Sequence, residues 1–96
     1  MNRFDDRVAI VTGAGGGIGS AIAKRLASEG ALVVVTDVNS DAALSVVSEI
    51  KKSGWAADAI TADISQKTDC VSLVEKSFIL KRRIDILVNN AGSNLS

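Results

Sequence analysis

Between Arg7 and Gly19 the chain reads Arg-Val-Ala-Ile-Val-Thr-Gly-Ala-Gly-Gly-Gly-Ile-Gly. Val8 to Val11 is a short apolar run, mostly β-branched and closed by glycine, the pattern of a parallel strand buried on both faces. The segment after the glycines, Ile18 to Glu29, carries apolar residues at Ile18, Ile22 and Leu26, which share one helical face. A strand running through a glycine loop into a helix aims backbone N–H groups and the positive helix end at one spot, a seat for phosphate. The glycines divide the work. Gly13 makes the sharp turn, Gly17 lets backbone approach a pyrophosphate, and Gly19 lets helix pack on strand.

Five of the seven residues from Gly13 to Gly19 are glycine. The spacing departs from Gly-x-Gly-x-x-Gly, because counting from Gly13 and Gly15 puts Ile18 where the third glycine belongs. A Walker A loop is excluded, since no Lys-Ser or Lys-Thr follows the glycines. What stands is Thr12-Gly13, three residues, Gly17, one residue, Gly19.

The 96 residues suffice for one domain, 1–96, and 47% of them are hydrophobic, enough to build a core. Eleven basic residues balance eleven acidic ones, which argues against nucleic-acid or anionic-membrane binding through bulk charge. The apolar runs are shorter than a membrane span, and Asp5-Asp6 spoils a secretion signal. With one cysteine and no histidine, neither an internal disulfide nor a thiolate or imidazole metal site is expected. A reducing cytoplasm fits this usage. Cys70, at helical spacing with Val74 and Phe78, reads as a packed thiol rather than a nucleophile. Trp55 reads as packing or an edge aromatic. The chain also contains no tyrosine.

Further along, Gly30 caps the first helix, and Ala31 to Thr36 forms a second β-branched run closed by Asp37. Asn39 or Ser40 caps a second helix with Ala43, Val46, Val47 and Ile50 inward and Lys51 and Lys52 at its negative end. Gly54 ends it. Trp55 to Ala62 is a third strand. Ser65 is the expected cap of a third helix with Cys70, Val74 and Phe78 on its buried face, and Lys81-Arg82-Arg83 reads as its solvated end. Ile84 to Val88 is the strongest strand, followed by Asn89-Asn90-Ala91-Gly92. Strands alternating with helices mean a doubly wound α/β sheet, and right-handed crossovers give strand order 3-2-1-4. Ligands of such sheets bind at the carboxyl ends beside the switch point, here between the first and fourth strands.

Asp37 stands 18 residues past Gly19 at the end of the strand beside the glycine loop. A carboxylate there accepts from both ribose hydroxyls of an adenosine. A 2′-phosphate would set like charges about 4 Å apart, unfavourable by on the order of 4 kcal/mol before solvent relaxes. No lysine or arginine lies in the loop or directly after Asp37 to offset that, so NAD is expected over NADP. A simple strand-end aspartate is the alternative. Asp63 could accept the adenine amino group while Ile64 packs on the ring, or Asp63 is a solvated turn residue. Asn90 either bridges neighbouring strands and loops or touches the cofactor ribose.

Taken together, Thr12-Gly13-Ala14-Gly15-Gly16-Gly17-Ile18-Gly19, Asp37, Asp63-Ile64 and Asn89-Asn90-Ala91-Gly92 resemble the amino-terminal half of a short-chain dehydrogenase/reductase of the classical type. The resemblance covers nearly the whole chain. It implies a Rossmann fold, pyrophosphate on Gly13 to Gly19, ribose on Asp37, adenine beside Asp63 and Ile64, and cofactor contact at Asn90 in the Asn90-Ala91-Gly92 turn. It also implies hydride transfer between a nicotinamide and an alcohol or ketone, with the family's acid/base tyrosine four residues before a lysine. With no tyrosine among these residues, no catalytic residue is assigned, and the chain is expected to be inactive alone. The expectation is a domain truncated after its fourth strand. A non-catalytic dinucleotide-binding module and a subunit completed by another polypeptide are the alternatives. The family also has a glycine where Arg82 stands, and a positive φ there would cost about 1 kcal/mol. The fourth strand, left as an apolar edge, is expected to drive self-association.

Overall fold

The computed structural model describes residues 7–63, 66–81 and 84–89. Elements alternate as β1 (Val8–Thr12), α1 (Gly17–Ser28), β2 (Leu32–Asp37), α2 (Ser40–Lys52), β3 (Ala57–Thr61), α3 (Lys67–Lys81) and β4 (Ile86–Asn89). The four strands are parallel in the order β3-β2-β1-β4, as the crossover rule requires. Register is direct: Thr12 stands opposite Thr36 on one side and Asn89 on the other.

Parallel strands read as unbroken apolar runs because both sheet faces are covered. Alternate residues divide the core accordingly. Ala9, Val11, Val33, Val35 and Ala57 face α1 and α2, meeting Ala23, Ala27, Ala43, Val46, Val47 and Ile50. Val8, Ile10 and Val34 face the other way, with Ala62 and with Leu73 of α3.

α2 obeys its sequence in full. Asn39 is the N-cap, its side chain accepting from the Ala42 amide, and the four expected residues are buried. The other two helices differ. In α1 the residues buried are Gly19, Ala23 and Ala27, while Ile22 and Leu26 pack partly and Ile18 is 73% exposed. Small residues bring this helix close to the sheet, and Ile18 sits in the first turn at the rim, where it is left uncovered. In α3 the expected face is displaced: Leu73 and Ser77 are buried, Cys70 is half-buried, and Val74 and Phe78 are 49% and 45% exposed. Its apolar residues run around the helix, and the small Ser77 rather than bulky Phe78 faces the sheet. β3 is shorter than Trp55 to Ala62, and Trp55 lies outside it, 37% exposed. Ser65 and Arg82 fall outside the described residues.

Candidate functional site

The carboxyl ends of β1, β2 and β4 meet the start of α1 at one rim. β1 closes on Thr12, whose hydroxyl donates to the carbonyl of Val88 at 3.3 Å and ties the ends of β1 and β4 together. Gly13 then takes φ 64°, a left-handed turn that a side chain would strain. The chain crosses toward β2, where the Ala14 amide donates to the Thr36 carbonyl at 3.0 Å. The next amide, Gly15, donates to Oδ2 of Asp37 at 3.0 Å. Loop and carboxylate are thus joined directly.

The start of α1 differs from the starts of its two neighbours. Its N-cap is Gly16, with no side-chain cap, and its first turn holds no acidic residue. α2 has Asn39 and Asp41 in those roles, and α3 has Asp69 in its first turn. Helix geometry leaves the first-turn amides of α1 without an intrahelical acceptor. Among the described residues neither a capping side chain nor a first-turn acid answers them, so partial positive charge is presented at the rim. Gly17 contributes open space, since a Cβ built there meets nothing within 4 Å.

Asp37 is half-buried and bonded on both oxygens, Oδ1 accepting from the Asn39 amide at 3.0 Å. Its main-chain carbonyl accepts from Ala62 at 3.3 Å, which brings the end of β3 alongside. Asp63 follows by one residue. Its amide donates to Oδ2 of Asp69 at 2.8 Å, and its carbonyl accepts from Gln66. Gly13, Gly15, Gly16, Gly17, Ile18, Gly19, Asp37 and Asp63 therefore share one rim. Ile64, Asn90, Ala91 and Gly92 lie outside the described residues; β4 delivers Asn89 beside Thr12, directly before them.

Two contacts escaped the sequence reading. The Gly15–Asp37 hydrogen bond spans 22 residues, and only the parallel pairing of β1 with β2 brings its ends together. Asp69 was legible as a first-turn acid, but its acceptance from Asp63 depends on how the chain folds back before α3.

The sequence model of the family described as short chain dehydrogenase matches residues 7–96. Curated relatives include the 7alpha-hydroxysteroid dehydrogenase of Escherichia coli K12, 47% identical over 90 residues, covering 94% of this chain and 35% of the relative. Elsinochrome reductase 1 of Elsinoe fawcettii is 47% identical over 92 residues, covering 95% of this chain and 34% of the relative. Among solved structures, a 7 alpha-hydroxysteroid dehydrogenase complexed with NADH and 7-oxo glycochenodeoxycholic acid superposes with a TM-score of 0.88 at 45% identity. That match covers 91% of this chain and 34% of the other. The chain thus spans about a third of the length of the curated relatives it matches.

Proposed function

The chain belongs to the short-chain dehydrogenase family, and from that premise we propose that it is the NAD-binding part of an oxidoreductase. In this reading the diphosphate rests on the amides from Gly13 to Gly19, with Ile18 beside it. The adenosine ribose bonds to Asp37, adenine lies by Asp63 and Ile64, and Asn90, with Ala91 and Gly92 after it, contacts the cofactor ribose. The observation that carries it is the Asp37 carboxylate held against the Gly15 amide, next to a helix start without a cap of its own. A relative of the same fold has been solved in complex with NADH, which supports a nicotinamide cofactor here. Preference for NAD over NADP follows from the negative charge of Asp37, which favours a 2′-hydroxyl and repels a 2′-phosphate.

Hydride transfer to or from an alcohol or ketone is the reaction proposed for a form containing the family's tyrosine and lysine. The 96 residues contain no tyrosine, so by themselves they hold no group for that acid/base role. Among the described residues no helix is long and apolar enough to cross a membrane. The 96 residues contain a single cysteine, Cys70, a usage that fits a reducing compartment, and a cytoplasmic location is proposed. Calorimetric titration of the chain with NAD and with NADP tests the reading. Saturable binding of NAD, tighter than NADP by about tenfold or more, is expected from one unfavourable charge contact. Equal affinity for the two, or no NAD binding at millimolar concentration, would overturn it.

A further inference from the structure

Gly15, like Gly16, is given no task by the spacing, yet its surroundings are far more closed than those of Gly16 or Gly17. A Cβ built on it would lie 2.6 Å from the Cβ of Ala42, 2.9 Å from Oδ2 of Asp37 and 3.1 Å from Cγ of Asp37. At Gly16 the nearest atom is 3.8 Å away, and at Gly17 there is none within 4 Å. Backbone strain does not demand glycine here, because the positive-φ glycines are Gly13, Gly30 and Gly54. Space alone excludes a side chain.

We propose that Gly15 is a specificity-determining residue, fixing by its amide and its lack of a Cβ where the Asp37 carboxylate stands for the cofactor ribose. This rests on the reading of Asp37 given above. The carboxylate is pinned from two sides, Oδ2 by the Gly15 amide and Oδ1 by the Asn39 amide, both at 3.0 Å. Asn39 also caps α2, its Oδ1 accepting from the Ala42 amide at 3.1 Å. Glycine loop, carboxylate and first turn of α2 are therefore one hydrogen-bonded unit. A carboxylate can rotate away from an intruding methyl group, but the Cβ of Ala42 is fixed to helix backbone. A side chain at position 15 thus forces α2 and the loop apart, and the two hydrogen bonds on Asp37 cannot both survive. The acceptor that selects a 2′-hydroxyl then leaves its place, while the part of the diphosphate seat from Gly17 onward, at the uncapped start of α1, keeps its open space.

The test compares the wild-type chain with Gly15→Ala and with Gly15→Ala combined with Ala42→Gly, which removes the hardest contact. Without ligand, amide hydrogen exchange is expected to speed up at positions 39 and 42 in the single variant, with β1 and β2 amides unchanged. Protection at position 39 should return in the double variant. With ligand, NAD affinity should fall by about tenfold or more in the single variant, the size expected when a charged acceptor moves out of reach. NADP affinity should fall less than that of NAD, because displacing the carboxylate also relieves its repulsion of a 2′-phosphate, and the double variant should recover the preference. Wild-type exchange and an unchanged NAD-to-NADP ratio in Gly15→Ala would overturn the proposal. So would loss of protection throughout the sheet that Ala42→Gly does not repair. A wild-type chain that binds neither nucleotide overturns the ribose reading by itself; whether Gly15 holds the carboxylate is then decided by the exchange measurements.

Discussion

Two backbone amides already hold the carboxylate of Asp37 before any ligand arrives, and each oxygen keeps lone pairs for further donors. Replacing Asp37 with Ala should weaken NAD binding by about 2 kcal/mol, the scale of a hydrogen bond to a charged group, and tighten NADP by relieving the like-charge contact. Titration with both nucleotides reads the split; a common loss for the two would assign Asp37 a role in folding instead. Asn39 works on the other end of the same arrangement. Its replacement with Ala removes the α2 cap, and urea unfolding should show a loss of about 1 kcal/mol. The placement of Asp37 was legible because strand end and glycine loop are set by local patterns. Its bond to Gly15 was not, because it is a property of two strands lying side by side.

At the scale of the element, α2 and α3 show what makes a helix face legible. In α2 the buried Ala43, Val46, Val47 and Ile50 fall on one stripe, most of the remaining positions are polar, and the cap announces its start. α3 carries apolar residues at Cys70, Val71, Leu73, Val74 and Phe78, which spread too far around the axis to define an inward side. Only the sheet decides, and it takes Leu73 and Ser77. Stability measurements should follow that choice. Leu73→Ala removes a side chain that is 4% exposed and should cost about 2–5 kcal/mol, whereas Phe78→Ala should cost well under about 2 kcal/mol. Ser77 adds a sharper contrast. Its hydroxyl is buried without a hydrogen-bond partner among the described residues, so Ser77→Ala should be neutral or stabilising by about 1 kcal/mol. Urea midpoints at constant slope check all three, and the reverse order for Leu73 and Phe78 would restore the face expected from spacing.

The strand order of the whole molecule followed from chain handedness and the alternation of elements, and with it the position of the rim between β1 and β4. That same order leaves β4 at one end of the sheet, paired only with β1 among the described residues. Leu87 is 64% exposed there, in register with Ile10, and β4 carries no charged residue to discourage another strand. Edge strands of soluble proteins are usually blunted by charge, proline or a bulge, and β4 has neither a charge nor a proline. Self-pairing of this chain is therefore proposed, two copies meeting along their β4 edges. Sedimentation velocity should show the average mass rising with concentration through the micromolar range. Leu87→Lys should hold the chain monomeric with an unchanged far-ultraviolet spectrum, because the side chain it replaces is mostly solvent-facing and contributes little to the core. NAD binding should survive the substitution, since Leu87 lies two residues before the carboxyl end of β4 and outside the glycine loop. A wild-type chain that sediments as a monomer at every concentration would show that the edge is protected by some other part of the molecule.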